Sequence, residues 1–209
     1  MMHWRKIVLG LTSVMVGMTV AGCHPVRLSQ DVTYHLGDYH TRIDSVPGSH
    51  PAVLFVPVPQ AREGLGTKDM LYMMQPYQIE AYARHRWAAP PASMLLPRLV
   101  SAIASKHYFR AVVSAPFAGF SSYRLSTKLL AWHEAFFYPK PRIQIALEAV
   151  LLNSKTQEVV ATKTFRVSQE VSDRQVYTAV IATDAAVSKL NQRVANFVVG
   201  AVNALPGSA

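Results

Sequence analysis

The sequence has very little cysteine, because Cys23 is the only one among 209 residues. A chain with one cysteine forms no intramolecular disulfide, even in an oxidising compartment. A small disulfide-stapled fold is therefore excluded. Half of the residues are hydrophobic and 16% are charged, which is typical of a globular chain that is long enough to bury a hydrophobic core.

The sequence also lacks the local motifs of common enzymes. It contains no His-Glu-x-x-His, Cys-x-x-Cys or Gly-x-Ser-x-Gly, and Gly64 and Gly66 are too few for a nucleotide-binding loop. Six histidines share no metal-ligand spacing: His35, His40, His50, His85, His107 and His133. We therefore expect no metal, no cofactor and no enzymatic activity. Spacing does not test a triad assembled from residues distant in the sequence, so that alternative stays open.

Acidic residues are scarce, with 12 against 21 basic ones and a formal net charge of +9. This excess of positive charge favours anionic lipid headgroups or acidic partners, and ordinary solvated charge is the alternative. The basic residues are scattered along the chain rather than gathered in a block. We therefore expect no binding of nucleic acid.

The N-terminal hydrophobic run is short. A charged start at residues 4–6, an apolar run at 7–20 and the small pair Ala21-Gly22 form the three parts of an export signal, and the run is too short to span a bilayer comfortably. Cys23 follows directly, as in the lipobox of bacterial lipoproteins. This resemblance predicts cleavage between Gly22 and Cys23 and lipid attachment at the Cys23 thiol. The alternatives are an uncleaved anchor or plain secretion with an unpaired cysteine.

A lipidated Cys23 would fix the chain stably to a membrane, because the triacyl anchor implied by the lipobox, with its palmitate, carries more than one chain. His24 follows the cysteine where inner-membrane lipoproteins often carry Asp, which favours an outer-membrane location facing the periplasm. The sequence thus predicts a signal peptide at 1–22, a lipidated tether with a first strand at 23–50, and one domain at 51–209. The 187 residues of the processed chain keep 19 basic and 12 acidic side chains, a net charge of +7.

Alternation of apolar and polar residues predicts most of the strands. Residues 143–151 and 159–167 alternate on either side of a polar turn, which indicates an antiparallel hairpin. A further hairpin is predicted around Gln75-Pro76-Tyr77, and the long strand that begins at Tyr123 has a predicted irregularity near Trp132. The strands of this further hairpin are predicted at residues 70–74 and 78–82, and the long strand at 123–137. The remaining predicted strands are 34–36, 52–58 and 108–113.

Helical periodicity predicts two helices, at 94–105 and at about 173–202. Ser93 is the predicted cap of the first helix, and Ser172 with Gln175 has the spacing of a capping box for the second. Together the elements predict the α/β class, with a mixed, largely antiparallel sheet, packed helices and a long C-terminal helix.

The order of these motifs resembles a known family. The elements are a lipobox, a first strand with Tyr-x-Leu at 34–36, a strand ending in Val-Pro, Arg86-Trp87 followed by Pro90-Pro91, a helix, the strand from Tyr123, a hairpin and an Ala-rich helix. Their order resembles that found in ABC-type transport auxiliary lipoproteins. This family includes the paraquat-inducible lipoprotein. The chain differs from the pattern in its longer stretch between Cys23 and Val53.

The resemblance implies a three-layer α/β fold with helices on both faces of the sheet. It also implies partners, because family members accompany mammalian-cell-entry-type proteins and ABC transporters that move lipid between two membranes. The function it implies is that of a non-catalytic accessory that docks a transport component at the outer membrane. The alternatives are a lipid-binding carrier or an envelope enzyme located by its anchor, and phospholipid binding and homo-oligomers stay open.

Five residues form the predicted partner surface: Trp87, Pro90, Pro91, Phe117 and Phe120. A Trp beside two prolines is rigid and amphipathic, and Trp is enriched at binding hot spots. The alternative is that Trp87 packs under the first helix while the prolines set the direction in which that helix starts. Phe117 and Phe120, like residues 136–138, are predicted exposed apolar loops that touch lipid or a neighbour, with a place in the core as the alternative.

Overall fold

The computed structural model describes residues 30–37 and 49–205. Within these ranges one sheet is accompanied by two helices. The elements are β1 (Val32–Tyr34), β2 (His50–Val56), β3 (Gln60–Ala61), β4 (Asp69–Met73), β5 (Glu80–Trp87), α1 (Pro91–Ala104), β6 (Phe109–Ser114), β7 (Tyr123–Ala135), β8 (Arg142–Asn153), β9 (Val159–Glu170) and α2 (Val176–Asn203).

Strand β7 is the centre of the sheet. One edge of β7 pairs antiparallel with β8 from Tyr123 to Ala135, and β8 pairs antiparallel with β9. The β7–β8 register shifts between Leu129 and Ala131, next to the irregularity predicted near Trp132. The shift matters for the site described below, because it decides which side chains of the second half of β7 face the helices.

The other edge of β7 is shared by three short parallel strands. Leu54 of β2 lies opposite Tyr123, Gln60 of β3 opposite Lys128, and Tyr72 of β4 opposite Glu134. The three strands therefore act as one interrupted strand that follows β7. The prolines at 57 and 59 lack the N–H that a continuous ladder needs, and residues 62–68 form a loop between β3 and β4.

The outer strands extend the sheet on this side. β6 pairs parallel with β2, β5 pairs antiparallel with β4, and β1 pairs parallel with β5. The predicted class, a mixed sheet with a long C-terminal helix, is confirmed. Most of the antiparallel pairing lies in the long meander β7–β8–β9, whereas every parallel pair includes at least one short strand.

Neither helix starts as the sequence predicts. Helix α1 begins three residues earlier than predicted, with Pro90 at the N-cap position and Pro91 as the first helical residue, so Ser93 lies inside the first turn and does not cap it. Proline suits this position because its fixed φ and missing N–H cost nothing in the first turn. The capping box of Ser172 with Gln175 is also wrong, because Gln175 is the N-cap residue and makes no side-chain cap bond.

Both described helices lie on the same face of the sheet. α1 packs on α2 and β6, and α2 packs on β8 and β9. The β8 side chains that face the helices are all buried: Ile143, Ile145, Leu147, Ala149 and Leu151. Of the alternate ones, Ala146 is buried and three are half-exposed on the other face: Gln144, Glu148 and Val150. The three-layer arrangement implied by the resemblance is therefore not found in the described residues, which form two layers.

Asp184 ties three parts of the domain together. Its Oδ1 accepts hydrogen bonds from a guanidinium N–H of Arg98 in α1 and, at 3.0 Å, from the backbone N–H of Gly37 beyond β1. Arg98 also donates to Ser188 Oγ at 3.0 Å. Burial raises the pKa of Asp184, but the hydrogen bonds and charge of Arg98 outweigh it, and the net effect is a lowered pKa.

We expect Asp184→Asn to lower the free energy of unfolding by about 1 to 2 kcal/mol at pH 7, because the pair is half-exposed and its bonds are charge-assisted. The pKa of Asp184 is lower in the folded state than in the unfolded state. The stabilisation by its ionised carboxylate is therefore present above the unfolded-state pKa and is lost as the pH falls through the folded-state pKa. Urea unfolding followed by Trp fluorescence measures both effects. A loss no larger than that of the exposed control Glu158→Gln would contradict this role.

Candidate interaction site

The predicted partner surface is not one surface in the structure. Trp87 is 3% exposed and meets Trp132 edge to face in the core, with ring centroids 6.0 Å apart. Pro91 is buried in the first turn of α1, and Pro90 is half-buried. The prediction is therefore wrong for Trp87 and Pro91, whose side chains are enclosed by the domain and leave almost nothing for a partner to contact.

The two phenylalanines lie elsewhere. Phe117 is half-buried and stacks on Phe55 with centroids 5.8 Å apart, and Phe120 is fully exposed on the same loop before β7. Phe55 pairs with Arg124, which lies eight residues before Trp132 on β7, about 26 Å along the strand. Phe120 thus remains a candidate contact residue, separate from the Trp87 region. The predicted lipid-attachment site, Cys23 with the cleavage residue Gly22, lies outside the described residues.

A groove of about 580 Å³ lies at the other end of β7, on the face without helices. Its walls are the loop after β3, the β4–β5 hairpin and the second half of β7. Most of the side chains that line it are apolar. They are Arg62, Glu63, Gly64, Leu65, Leu71, Met73, Pro76, Tyr77, Ile79, Leu130, Ala131, His133, Phe137 and Gln144.

Strand alternation explains why the groove is apolar. After the register shift in β7, Trp132 and Glu134 face the helices, so Ala131 and His133 face the opposite side. The next strand, β4, follows the same alternation and places Leu71 and Met73 beside them. Burial and the charge of Arg62 lower the pKa of His133, which keeps its ring neutral near pH 7. The floor of the groove, formed by side chains of β4 and β7, therefore carries little charge, and Arg62 lies at its border.

Five apolar side chains are exposed at the outer end of this groove, in the β4–β5 turn and the β7–β8 loop. We call them the apolar tip: Met74, Tyr77, Ile79, Phe137 and Tyr138. The rings of Phe137 and Tyr138 lie 4.7 Å apart. Residues 136–138 are among the exposed apolar loops that the sequence predicts. The sequence also predicts the β4–β5 turn, but not that its apolar residues are exposed. The available signal was an apolar residue on each side of a Pro-Tyr turn, where turns are usually polar.

A buried carboxyl group lies on the helix-covered face behind the groove. Glu134 is 4% exposed and accepts a hydrogen bond from Tyr82 Oη at 2.9 Å. Its Oε1 and the indole nitrogens of Trp87 and Trp132 have no partner among the described residues, and these residues help to line a space of about 20 Å³, the size of one water molecule. Burial raises the pKa of Glu134. Because Glu134 is buried and a space of this size admits no substrate, we interpret this group as structural.

The arrangement is suited to holding an apolar surface or chain. Within the described ranges, no cluster of three or more His, Cys, Asp or Glu side chains is placed to bind a metal ion. None of the helices in the part of the chain that the structure describes combines the length and apolarity that a bilayer crossing requires.

A family comparison identifies the domain. The model of the ABC-type transport auxiliary lipoprotein component matches residues 34–195, which is most of the chain. This protein is an ABC-type transport auxiliary lipoprotein. The family is an auxiliary transport family and not an enzyme family, and its members are lipoproteins of the cell envelope. No curated protein matches the auxiliary lipoprotein at a significant level.

Solved structures share the fold of the auxiliary lipoprotein. A Xanthomonas campestris protein described as a DUF330 family member is 20% identical, with a TM-score of 0.69, and the match covers 84% of this chain and 96% of that one. A second structure, of an uncharacterised protein, is 15% identical with a TM-score of 0.65 and covers 81% and 99% of the two chains. At these identities the likeness supports the fold alone.

We expect Glu134→Gln to remove a pH dependence of stability from the auxiliary lipoprotein. Because the folded-state pKa of Glu134 is raised, the native state favours its protonated form, and the wild type loses stability as the pH rises from the unfolded pKa through the folded one. The amide stays neutral, so the stability of the variant relative to the wild type should increase between pH 4.5 and pH 8 in urea titrations.

Two variants control this experiment. Tyr82→Phe removes the hydrogen bond to Glu134 and should cost about 1 to 3 kcal/mol. Glu158→Gln removes a carboxylate from the exposed β8–β9 turn and should leave the pH profile of the wild type unchanged. If Glu134→Gln and Glu158→Gln give the same profile, Glu134 is not the group responsible.

Proposed function

We propose that this auxiliary lipoprotein is anchored in the outer membrane by lipid on Cys23, faces the periplasm, and docks a component of a mammalian-cell-entry-type lipid transport system. The membership in an ABC transport auxiliary family supports the transport role. The lipobox at Ala21-Gly22-Cys23 and the following His24 support the anchor and its membrane. The docking partner would be the mammalian-cell-entry-type protein or a component of its ABC transporter.

The groove is the observation that carries the docking role. It places apolar side chains of β4 and β7 at the surface, on the sheet face that the described helices leave uncovered. A contiguous exposed apolar surface on a folded domain is typical of an interaction site. Its polar rim, with Arg62, Glu63 and Gln144, gives it the apolar centre and polar border of a protein interface.

A lipid-binding carrier is the second candidate. The volume of the groove, about 580 Å³, lies within the range of small-molecule sites. An acyl chain in this groove would have the strand side chains beneath it and the loop after β3 beside it. Docking is favoured because the groove is open along the sheet, whereas a carrier has to enclose most of its ligand.

The test is a crosslinked pull-down of the tagged, processed chain from native membranes, identifying proteins and lipids together. We expect the wild type to recover a mammalian-cell-entry-type protein or ABC transporter components. Leu130→Glu places a charge in the groove and should reduce this recovery about tenfold or more, because a central apolar contact is typically worth 2 kcal/mol or more.

The matched control is Val150→Glu. Val150 is also a half-exposed strand residue on the helix-free face, but it pairs with Ser126 and lies outside the groove. Cys23→Ala serves as the unanchored control. If both Glu variants lose the partner equally, the groove is not the docking site, and stoichiometric bound lipid without any transport component would favour the carrier.

A further inference from the structure

The apolar tip lies at the end of the domain toward which the first residue of β1 points. β5 starts next to the tip, at Glu80, and runs away from it to Trp87. β1 is parallel to β5, with Val32 opposite His85 and Tyr34 opposite Trp87. Followed backwards from Tyr34 to Val32, the chain therefore runs toward the tip.

The length of chain before β1 limits how far the anchor lies from the tip. Eight residues lie between Cys23 and Val32, and the nine Cα–Cα steps that join the two span at most about 32 Å when fully extended. His85, the partner of Val32, lies six residues beyond Ile79, about 20 Å along the strand. A lipid on Cys23 can thus reach the plane of the tip without reversing the direction of the chain.

The chemistry of the tip suits a membrane interface. Tyr is enriched where a protein crosses the level of lipid headgroups, because its ring is apolar and its hydroxyl stays hydrated. The tip offers Tyr77 and Tyr138 together with Met74, Ile79 and Phe137 as apolar contacts.

Two arginines lie next to this end. The guanidinium of Arg142 is 5.6 Å from the ring centre of Tyr138, and that of Arg174 is 5.8 Å from the ring centre of Phe136. A guanidinium group binds phosphate oxygens well. The aromatic rings of the tip and its border thus lie beside cations that can meet lipid phosphates.

Three carboxylates near this end, those of Glu80, Glu170 and Asp173, have partners within the domain. Glu80 accepts a hydrogen bond from Tyr72 Oη at 2.7 Å, and Glu170 pairs with Lys140 at 2.6 Å. Asp173 accepts bonds at the start of α2. Their repulsion of anionic headgroups is weakened by these partners.

Tyr77 provides an independent indication. Its φ is +71°, a conformation that a bulky residue rarely adopts and that glycine adopts freely. Its side chain is also fully exposed and gains no burial in the domain. A strained backbone that presents an unburied aromatic ring is expected where the ring serves an external contact.

We infer that the apolar tip lies in the headgroup interface of the same membrane that holds the Cys23 lipid. This rests on the anchor in the proposed function and adds a second, noncovalent membrane contact. The two contacts would fix the orientation of the domain, with β7 rising from the membrane and the groove opening just above its surface. Phe120, at the far end of β7, would face away from the membrane.

The single cysteine makes this testable with the lipidated chain. The thiol of a lipidated Cys23 does not react, so Met74→Cys and Phe120→Cys each introduce one reactive thiol, at the tip and at the opposite end. Each is labelled with nitrobenzoxadiazole and reconstituted in vesicles of phosphatidylethanolamine and phosphatidylglycerol, with or without spin-labelled lipid. We expect a blue-shifted emission that is quenched by spin-labelled lipid at position 74 and neither effect at position 120.

A second variant separates membrane contact from folding. In the Met74→Cys background, Tyr77→Gly should weaken the quenching, while the urea midpoint stays the same or rises because glycine relieves the positive φ. Equal quenching at 74 and 120 would overturn the inference. Absence of quenching at 74 would also overturn it, and crosslinking of position 74 to a transport component would then assign the tip to that partner.

Failure of the anchor gives a different signal. If the wild-type chain takes up label at Cys23, the lipid is absent and the proposed function fails. Cys23→Ser, combined with each reporter and added to preformed vesicles, then tests the tip alone. Quenching at 74 but not at 120 would support the tip contact without the anchor, and no quenching would overturn it.

Discussion

Hydrogen bonding along the two edges of β7 is the constraint on which the described structure depends. One edge is occupied by β8 over its full length, and the other is divided among β2, β3 and β4. Because β7 links the meander β7–β8–β9 to all remaining strands, the positions of β2, β3 and β4 are set by their register on β7, and the outer strands β1, β5 and β6 are positioned through β2 and β4. The helices then cover one face of the combined sheet, and the opposite face is left for contacts outside the domain.

The groove follows from this divided edge. The chain follows β7 through β2 and β3, leaves it at residues 62–68, and returns as β4. The departing loop forms one wall, the β4–β5 hairpin forms another, and the second half of β7 forms the floor. The site thus arises where the interrupted strand separates from its partner, and its apolar character comes from side chains that the alternation directs away from the helices.

The sequence predicted the local parts of this fold and missed the nonlocal ones. The β8–β9 hairpin was readable because each strand alternates and its partner follows within one turn. The sharing of a β7 edge by three strands was not, because no local pattern encodes pairing between Gln60 and Lys128. Ser93 has the hydroxyl acceptor of a good cap, yet Pro90 and Pro91 already set the start of the helix.

The candidate site was predictable to a similar degree. The motif Arg86-Trp87 with Pro90-Pro91 was informative about the family. The side chain of Trp87, however, packs in the core beside Trp132 and is not available to a partner. The apolar loop at 136–138 was recognised from composition. Its proximity to the β4–β5 turn depends on the parallel pairing of Met73 with Ala135, which only the assembled sheet reveals.

The most direct test of the docking account is site-specific photocrosslinking in intact cells. A photoreactive amino acid at Ala131, on the floor of the groove, is compared with the same residue at Val150, on the same sheet face outside the groove. The account predicts a crosslink from position 131, and none from position 150, to a mammalian-cell-entry-type protein or ABC transporter component. Crosslinks from 131 to lipid alone, or identical products from both positions, would contradict it.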